Sequence, residues 1–360
     1  MLIGLLTCAV ISFQGVQSQR IIEALNLGGN NPNVSRDDCI WKRERVCPDP
    51  DIGFHMYTNH GGKIVRDEVN TRYPAWIHSS LYDNTKPSVI LIHGYGGVRS
   101  DYLPVAVLRD AYLKTGQHNV FLVDWSPLAA TPCYASAVHN MRSVARCTAH
   151  FMEFLRMSGV PTEQTTCVGH SLGAHVCGVT SNFLNFRMSK IIGLDPARPL
   201  IRNNLKARLD PGDATLVQVL HTSSVFGDPK RMGTVDVCVN GGRSQPFCAS
   251  AANDQLCSHI RSVCFLAQSL FHHKAQVATP CSRRCSNYGG RVRQPLTRNE
   301  NSIVIGQFMP ENAEGTYCIS DPNPPYCSMQ GDGNHGSPFC CVPYSHDGAL
   351  NEISNGFTDQ

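Results

Sequence analysis

Five residues, Gly169-His170-Ser171-Leu172-Gly173, constrain this chain more than any others. An apolar stretch, Thr165-Thr166-Cys167-Val168, precedes them, and a helix-compatible stretch, Ala174-His175-Val176-Cys177-Gly178, follows. The pattern predicts a strand, a sharp turn and a helix, with Ser171 at the turn. Such a turn strains the serine backbone. A side chain at 169 or 173 would collide with the neighbouring strand or helix, so glycine stands at both. Ser171 then sits at the carboxyl end of a strand, where its hydroxyl can attack a carbonyl. The N–H of the next residue, Leu172, is placed to donate to the negative charge that develops on the attacked oxygen.

A serine hydroxyl needs a base, and the base needs a carboxylate to orient it. Lys190-Ile191-Ile192-Gly193-Leu194-Asp195-Pro196 reads as a buried strand that ends in an acid. Pro196 stops the strand just beyond Asp195, which suits a carboxylate presented at a strand end. The histidines after Asp195 are His221, His259, His272, His273, His335 and His346. His221 ends the run Thr215-Leu216-Val217-Gln218-Val219-Leu220 and also reads as a satisfied strand-end residue. His272 and His273, beside Lys274, read as a polar helix end. His259 is favoured. It is read in a loop pinned by Cys257, just before an apolar helix from Val263 to Leu270.

Strand-like runs at 88–92, 119–124, 165–169, 190–195 and 215–221 alternate with helical patterns. One of these, at 136–155, carries Ala137, Met141, Val144, Ala145, Phe151, Met152 and Leu155 as a stripe. The alternation predicts an α/β domain, with a mainly parallel central sheet and helices on both faces. The order Ser, Asp, His is that of the α/β-hydrolase fold.

Several further segments then fall into place. Leu91-Ile92-His93-Gly94-Tyr95, Val123-Asp124-Trp125, the serine turn, Gly193-Leu194-Asp195-Pro196-Ala197 and Cys257-Ser258-His259-Ile260-Arg261 resemble the pancreatic-lipase family in order and spacing. So do Arg208-Leu209-Asp210-Pro211-Gly212-Asp213-Ala214 and Val239-Asn240-Gly241-Gly242 followed by Gln245-Pro246. The match runs over roughly residues 50 to 320. The resemblance implies a triad of Ser171, Asp195 and His259, the three residues chosen above. It also implies a second oxyanion donor at the Tyr95 N–H and a disulfide Cys248–Cys257 at the base of a lid. The expected activity is lipid ester hydrolysis through an acyl-enzyme, with no cofactor.

Lid length narrows the substrate. Eight residues, Ala249 to Leu256, separate Cys248 from Cys257, and only Leu256 is a large apolar residue. The loop from Ser223 to Met232 is also short. Both resemble the phospholipase A1 branch of the family, including its insect enzymes. An open, more polar mouth suits a charged headgroup better than a triglyceride. The expectation is therefore a phospholipase A1 that releases the sn-1 fatty acid. Triacylglycerol lipase and a non-catalytic, yolk-type lipid binder are the alternatives. In the family's calcium loop a Glu is expected three residues before Arg208, but Leu205 stands there. Asp210 and Asp213 are read as turn and cap residues, and no metal is expected.

Residues 1–18 read as a signal peptide, with an apolar run from Met1 to Phe13 and small residues Val16 and Ser18 before the cleavage point. Its removal takes Cys8 and leaves 16 of the 17 cysteines, an even number suited to a secreted, disulfide-rich protein. Cys39–Cys47 and Cys281–Cys285 are plausible local pairs. Asn33-Val34-Ser35 is the N-glycosylation sequon. The expected division is a leader (1–18), an N-terminal segment (19–49), a catalytic domain (50–320) and a Cys/Gly/Pro-rich tail (321–360). A net charge of +3 is too small to argue for nucleic-acid binding. The expected partner is a phospholipid or glyceride at a lipid surface, with at most peripheral membrane contact.

Overall fold

Apolar runs long enough to be buried on both faces dictate a covered parallel sheet, and the chain builds one. A computed structural model describes residues 38–43, 46–73, 75–96, 103–281, 285, 302–327, 336–341 and 343. The leader, Asn33, His335 and His346 lie outside the described residues.

The strands are β1 (Gly53–His60), β2 (Lys63–Glu68), β3 (Ser88–Ile92), β4 (Asn119–Asp124), β5 (Thr165–His170) and β6 (Met188–Leu194). They continue with β7 (Ala214–His221), β8 (Val235–Val239), β9 (Val277–Pro280), β10 (Ile303–Val304) and β11 (Gly315–Ile319). All lie in one sheet ordered β10-β9-β11-β8-β7-β6-β5-β3-β4-β1-β2. From β11 to β4 neighbours run parallel, whereas β1 and β2 at one edge and β9 and β10 at the other pair antiparallel. The main helices are α1 (Leu103–Thr115), α2 (Tyr134–Met157), α3 (Leu172–Ser181) and α4 (Asp254–Ser269).

Strand periodicity sends alternate side chains to two cores. On β3, Ile90 and Ile92 pack with α2 and α3, while Val89 and Leu91 pack with α1 and α4. Register then sets the site. His170 lies opposite Leu194 on the adjacent parallel strand, so Ser171 and Asp195 leave their strands level with each other.

Two expectations are corrected. His259 is not in a loop: α4 begins at Asp254 and carries it in the second turn. Asn253 caps that helix, its side chain accepting the Leu256 N–H at 2.9 Å, and Asp254 complements the helix dipole. The local cysteine pairs are also wrong. Cys39 joins Cys133 and Cys47 joins Cys147, because the N-terminal segment lies along α2. Asn140 on that helix accepts the Lys42 N–H and donates to the Ile40 carbonyl. Cys281 joins Cys318 from the neighbouring strand β11, and Cys285 joins Cys238 on β8. Cys248–Cys257 forms as the resemblance implied. Cys167–Cys177 ties β5 to α3, and the adjacent Cys340 and Cys341 part company, to Cys264 on α4 and to Cys327.

The two N-terminal bridges interleave along the chain, so with Cys39–Cys133 intact the second closes an effective loop of only roughly 20 residues in the unfolded chain. Replacing Cys47 and Cys147 by alanine should therefore cost about 3 kcal/mol, not the ~5 kcal/mol of an isolated 100-residue loop. Urea unfolding of the double variant checks this.

Candidate active site

Close backbone approach builds the serine turn. A methyl on Gly169 would strike the Gly173 carbonyl and the Ala174 nitrogen, and one on Gly173 would strike the Ile92 and His93 carbonyls. No side chain but hydrogen fits either place, as expected. Ser171, between them, has φ 58° and ψ −119°, a strained backbone for a residue with a Cβ. Its N–H donates to the Leu194 carbonyl at 3.0 Å, and its carbonyl accepts the Ala197 N–H at 3.2 Å. The segment carrying Asp195 is thus pinned to the turn from both sides.

Asp195 follows β6 directly, is fully buried and has φ 43°. Its Oδ2 accepts His259 Nδ1–H at 2.6 Å. Its Oδ1 accepts the N–H groups of Thr222 at 2.8 Å and Ser223 at 3.1 Å. Gly227 covers the carboxylate so closely that a side chain there would overlap both oxygens. Donors on both oxygens hold the carboxylate in one orientation. His259 is held from behind by His170, whose Nε2 meets the His259 carbonyl at 3.2 Å while the two rings lie 4.7 Å apart. Phe226 flanks the ring at 5.9 Å. Burial, and then the neighbouring His259, push His170 well below the usual histidine range, so it stays neutral.

The loop after β3 lies against the serine. A methyl on Gly94 would come within 2.8 Å of Ser171 Cβ and 3.4 Å of its Oγ. His93 shapes this loop: Nδ1–H donates to the Gly94 carbonyl at 2.8 Å, Nε2 accepts the Trp125 N–H at 3.0 Å, and the two rings stack. Tyr95 follows, its buried ring edge-on to Tyr134 at 5.0 Å. Leu172 is the first residue of α3, where helix geometry leaves N–H groups without an intrahelical partner.

Ser171 and Leu172 thus follow β5, Asp195 follows β6, Tyr95 lies in the loop after β3, and His259 on α4 reaches Asp195. A family model described as Lipase matches residues 20–290. The chain belongs to the lipase family. It is 34% identical over 212 residues to phospholipase A1 member A of Bos taurus, across 57% of this chain and 46% of that protein. It is 28% identical to lipase member H of Oryctolagus cuniculus, across 84% and 70%. It is 30% identical to the phospholipase A1 of Vespa crabro, across 74% and 95%. This lipase-family chain thus spans less than half of the bovine relative and nearly all of the hornet one.

Several supporting residues of this lipase-family site escaped the sequence reading. His175, four residues after the serine, donates from Nε2 to the Ala197 carbonyl at 2.7 Å and accepts the Leu209 N–H at Nδ1. Burial lowers it to about 4, so it is a neutral brace between two loops. Gln245 donates to the Thr222 and Val239 carbonyls, and its N–H reaches Ser258 Oγ, so the base of the lid is tied to the loop that holds Asp195. His221 was rightly suspected of a strand-end role: Nδ1–H donates to the Asp228 carbonyl and Nε2 meets Asp236 at 2.8 Å. His272 lies in a short turn after α4.

The segment resembling a calcium loop does not fit a hard cation. Asp210 Oδ1 accepts the Gly212 N–H, and Asp213 accepts the Asp210 N–H. Burial pushes Asp213 up to about 7. The hydrogen-bond count agrees. Ser181 Oγ lies 2.7 Å from both the Gly178 carbonyl and Asp213 Oδ1, and its single proton serves only one. A protonated Asp213 that donates to Ser181 satisfies all three. A carboxyl whose folded value is raised loses stability as pH rises from its unfolded value of about 3.8 to about 7. Asp213→Asn mimics the protonated form. It should stabilise the fold at pH 8, by a few kcal/mol at most, and leave stability unchanged at pH 3.5, as read from the unfolding midpoints of thermal melts at both.

Proposed function

We propose that this protein is a secreted serine ester hydrolase of lipids, acting as a phospholipase A1. The observation that carries the reading is the 2.6 Å bond from His259 Nδ1–H to Asp195, beside a strained Ser171. That bond fixes the tautomer in which Nε2 holds a lone pair and can accept the Ser171 proton. The serine oxygen then bonds to the ester carbonyl carbon. The carbonyl oxygen takes the negative charge, and the Leu172 and Tyr95 N–H groups hold it, each donor contributing about 3–4 kcal/mol. Collapse expels the glycerol oxygen, which takes the proton from His259 and leaves an acyl-serine. Water, deprotonated by His259, attacks that ester and releases the fatty acid. Asp195 orients the imidazole and stabilises the imidazolium. No step uses a metal.

The lid supports a phospholipid substrate. From Cys248 to Cys257 the chain makes one turn and enters α4 at Asp254, and Leu256 packs half-buried against the core instead of roofing the site. Relatives named phospholipase A1 match at 28–34% identity. Eight disulfides are compatible with maturation in an oxidising compartment and release from the cell. The catalytic unit is taken as residues 50–320, with 1–18 as leader, 321–360 as tail and Asn33 as glycan acceptor.

Phosphatidylcholine with different acyl chains at its two positions, offered beside triglyceride, tests the reading. Release of the sn-1 chain with little triglyceride cleavage is expected. Dominant triglyceride cleavage would make this a neutral lipase, and no release from a folded protein would make it a binder. Ser171→Ala should abolish turnover with folding intact. Asp195→Asn should lower kcat on the order of 10⁴-fold, because the amide favours the wrong histidine tautomer.

A further inference from the structure

A cleft of about 720 Å³ lies between α2, the segment 38–43 and the loop that follows Asp195. Its floor is apolar, with Val138, Met141, Val179 and Ile201. Its rim is cationic: Lys42, Arg43, Arg142, Arg202 and Lys206 line it, and among the described residues no Asp or Glu does. Lys42 is neutralised by Asp49 and Asp51. Among the described residues no carboxylate pairs with the other four. Large apolar side chains stand exposed at the same rim: Trp41 at 52%, Leu200 at 43% and Leu205 at 56%.

The cleft is a built feature. Cys39–Cys133 and the two Asn140 bonds fasten segment 38–43 to α2, and His139 donates to the Lys42 carbonyl at 3.0 Å beneath Trp41. Tyr134 and Pro199 directly precede two of its lining residues, Ala135 and Leu200. Tyr134 meets Tyr95 edge-on, and its hydroxyl donates to the Pro199 carbonyl at 3.0 Å.

We propose that this rim docks the protein on an anionic phospholipid bilayer, with Arg43, Arg142, Arg202 and Lys206 taking headgroup phosphates and Trp41 entering the interface. Among the described residues these four cations meet no carboxylate, although Arg142 lies over the Phe183 ring; such cations draw an anionic surface, and an indole belongs at the boundary between headgroup and acyl chain. The inference goes beyond ester hydrolysis and does not depend on it.

Ser171→Ala protein, which leaves vesicles intact, provides the test. It is mixed at low salt with phosphatidylcholine vesicles or with phosphatidylcholine–phosphatidylglycerol vesicles. Binding to the anionic vesicles is expected, weakened on the order of 100-fold by the added triple change Arg142→Gln, Arg202→Gln and Lys206→Gln, since each cation near such a surface contributes about one kcal/mol. A control triple of equal charge, Lys63→Gln, Arg72→Gln and Lys230→Gln, should bind as the parent does. The tryptophans are Trp41, Trp76 and Trp125, and the last two are buried, so a blue shift of emission on anionic vesicles reports Trp41. Trp41→Phe should abolish it. Equal weakening by both triples, unchanged binding by the first, or no emission shift would overturn the proposal. So would a first triple that loses only monomeric lysophosphatidylglycerol while vesicle binding stands. Unfolding midpoints equal to the parent's confirm that both triples fold.

Discussion

The approach of α3 to the ends of β3 and β5, backbone against backbone at Gly169 and Gly173, is the constraint on which the rest of the site depends. It brings the first turn of the helix within reach of a carbonyl bound at the strand ends, and it holds Ser171 in a conformation that an open loop would relax. Strain of this kind persists only where the surroundings over-determine it. Here they do: Cys167–Cys177 fastens the two arms of the turn, and the Leu194 carbonyl and Ala197 N–H fasten the serine itself. The parallel register then delivers Asp195 beside it at no further cost, because His170 and Leu194 are already paired.

The histidine is placed by different means. It rides on α4, which packs with α1 on one face of the sheet, so no strand register positions it. Instead the helix is held at Cys257 by the lid bridge, at Cys264 by the bridge to Cys340, and at Arg261 by Phe247 and Phe339 on either side of a buried guanidinium. Burial lowers that guanidinium to about 10. Its NH1 donates to the Phe339 carbonyl, so the far tail of the chain bears directly on the helix that carries His259.

How much of this was legible beforehand follows from the range of the forces involved. Parallel strands covered on both faces must be continuously apolar, so β3 and β4 stand in the sequence with their observed bounds, and β5, β6 and β7 within two residues. The glycines of the serine turn are legible because steric exclusion is local. The helical state of His259 was missed, although Asn253 and Asp254 form an ordinary capping signal, because cysteines nearby suggested a pinned loop. The bridges of Cys39, Cys47, Cys281 and Cys285 were misread because proximity in sequence says little about which face of a helix or which neighbouring strand a sulfur meets. The donors on Asp195 and the clasp of Gln245 are long-range and leave no local trace.

The bridge from Cys248 to Cys257 spans the whole lid. A protease that cuts between Ala249 and Leu256 therefore releases nothing: the two new ends stay joined through sulfur, and α4 keeps its covalent hold on the loop bearing Gln245. The segment between the two sulfurs is thus one that can be nicked without parting His259 from Asp195.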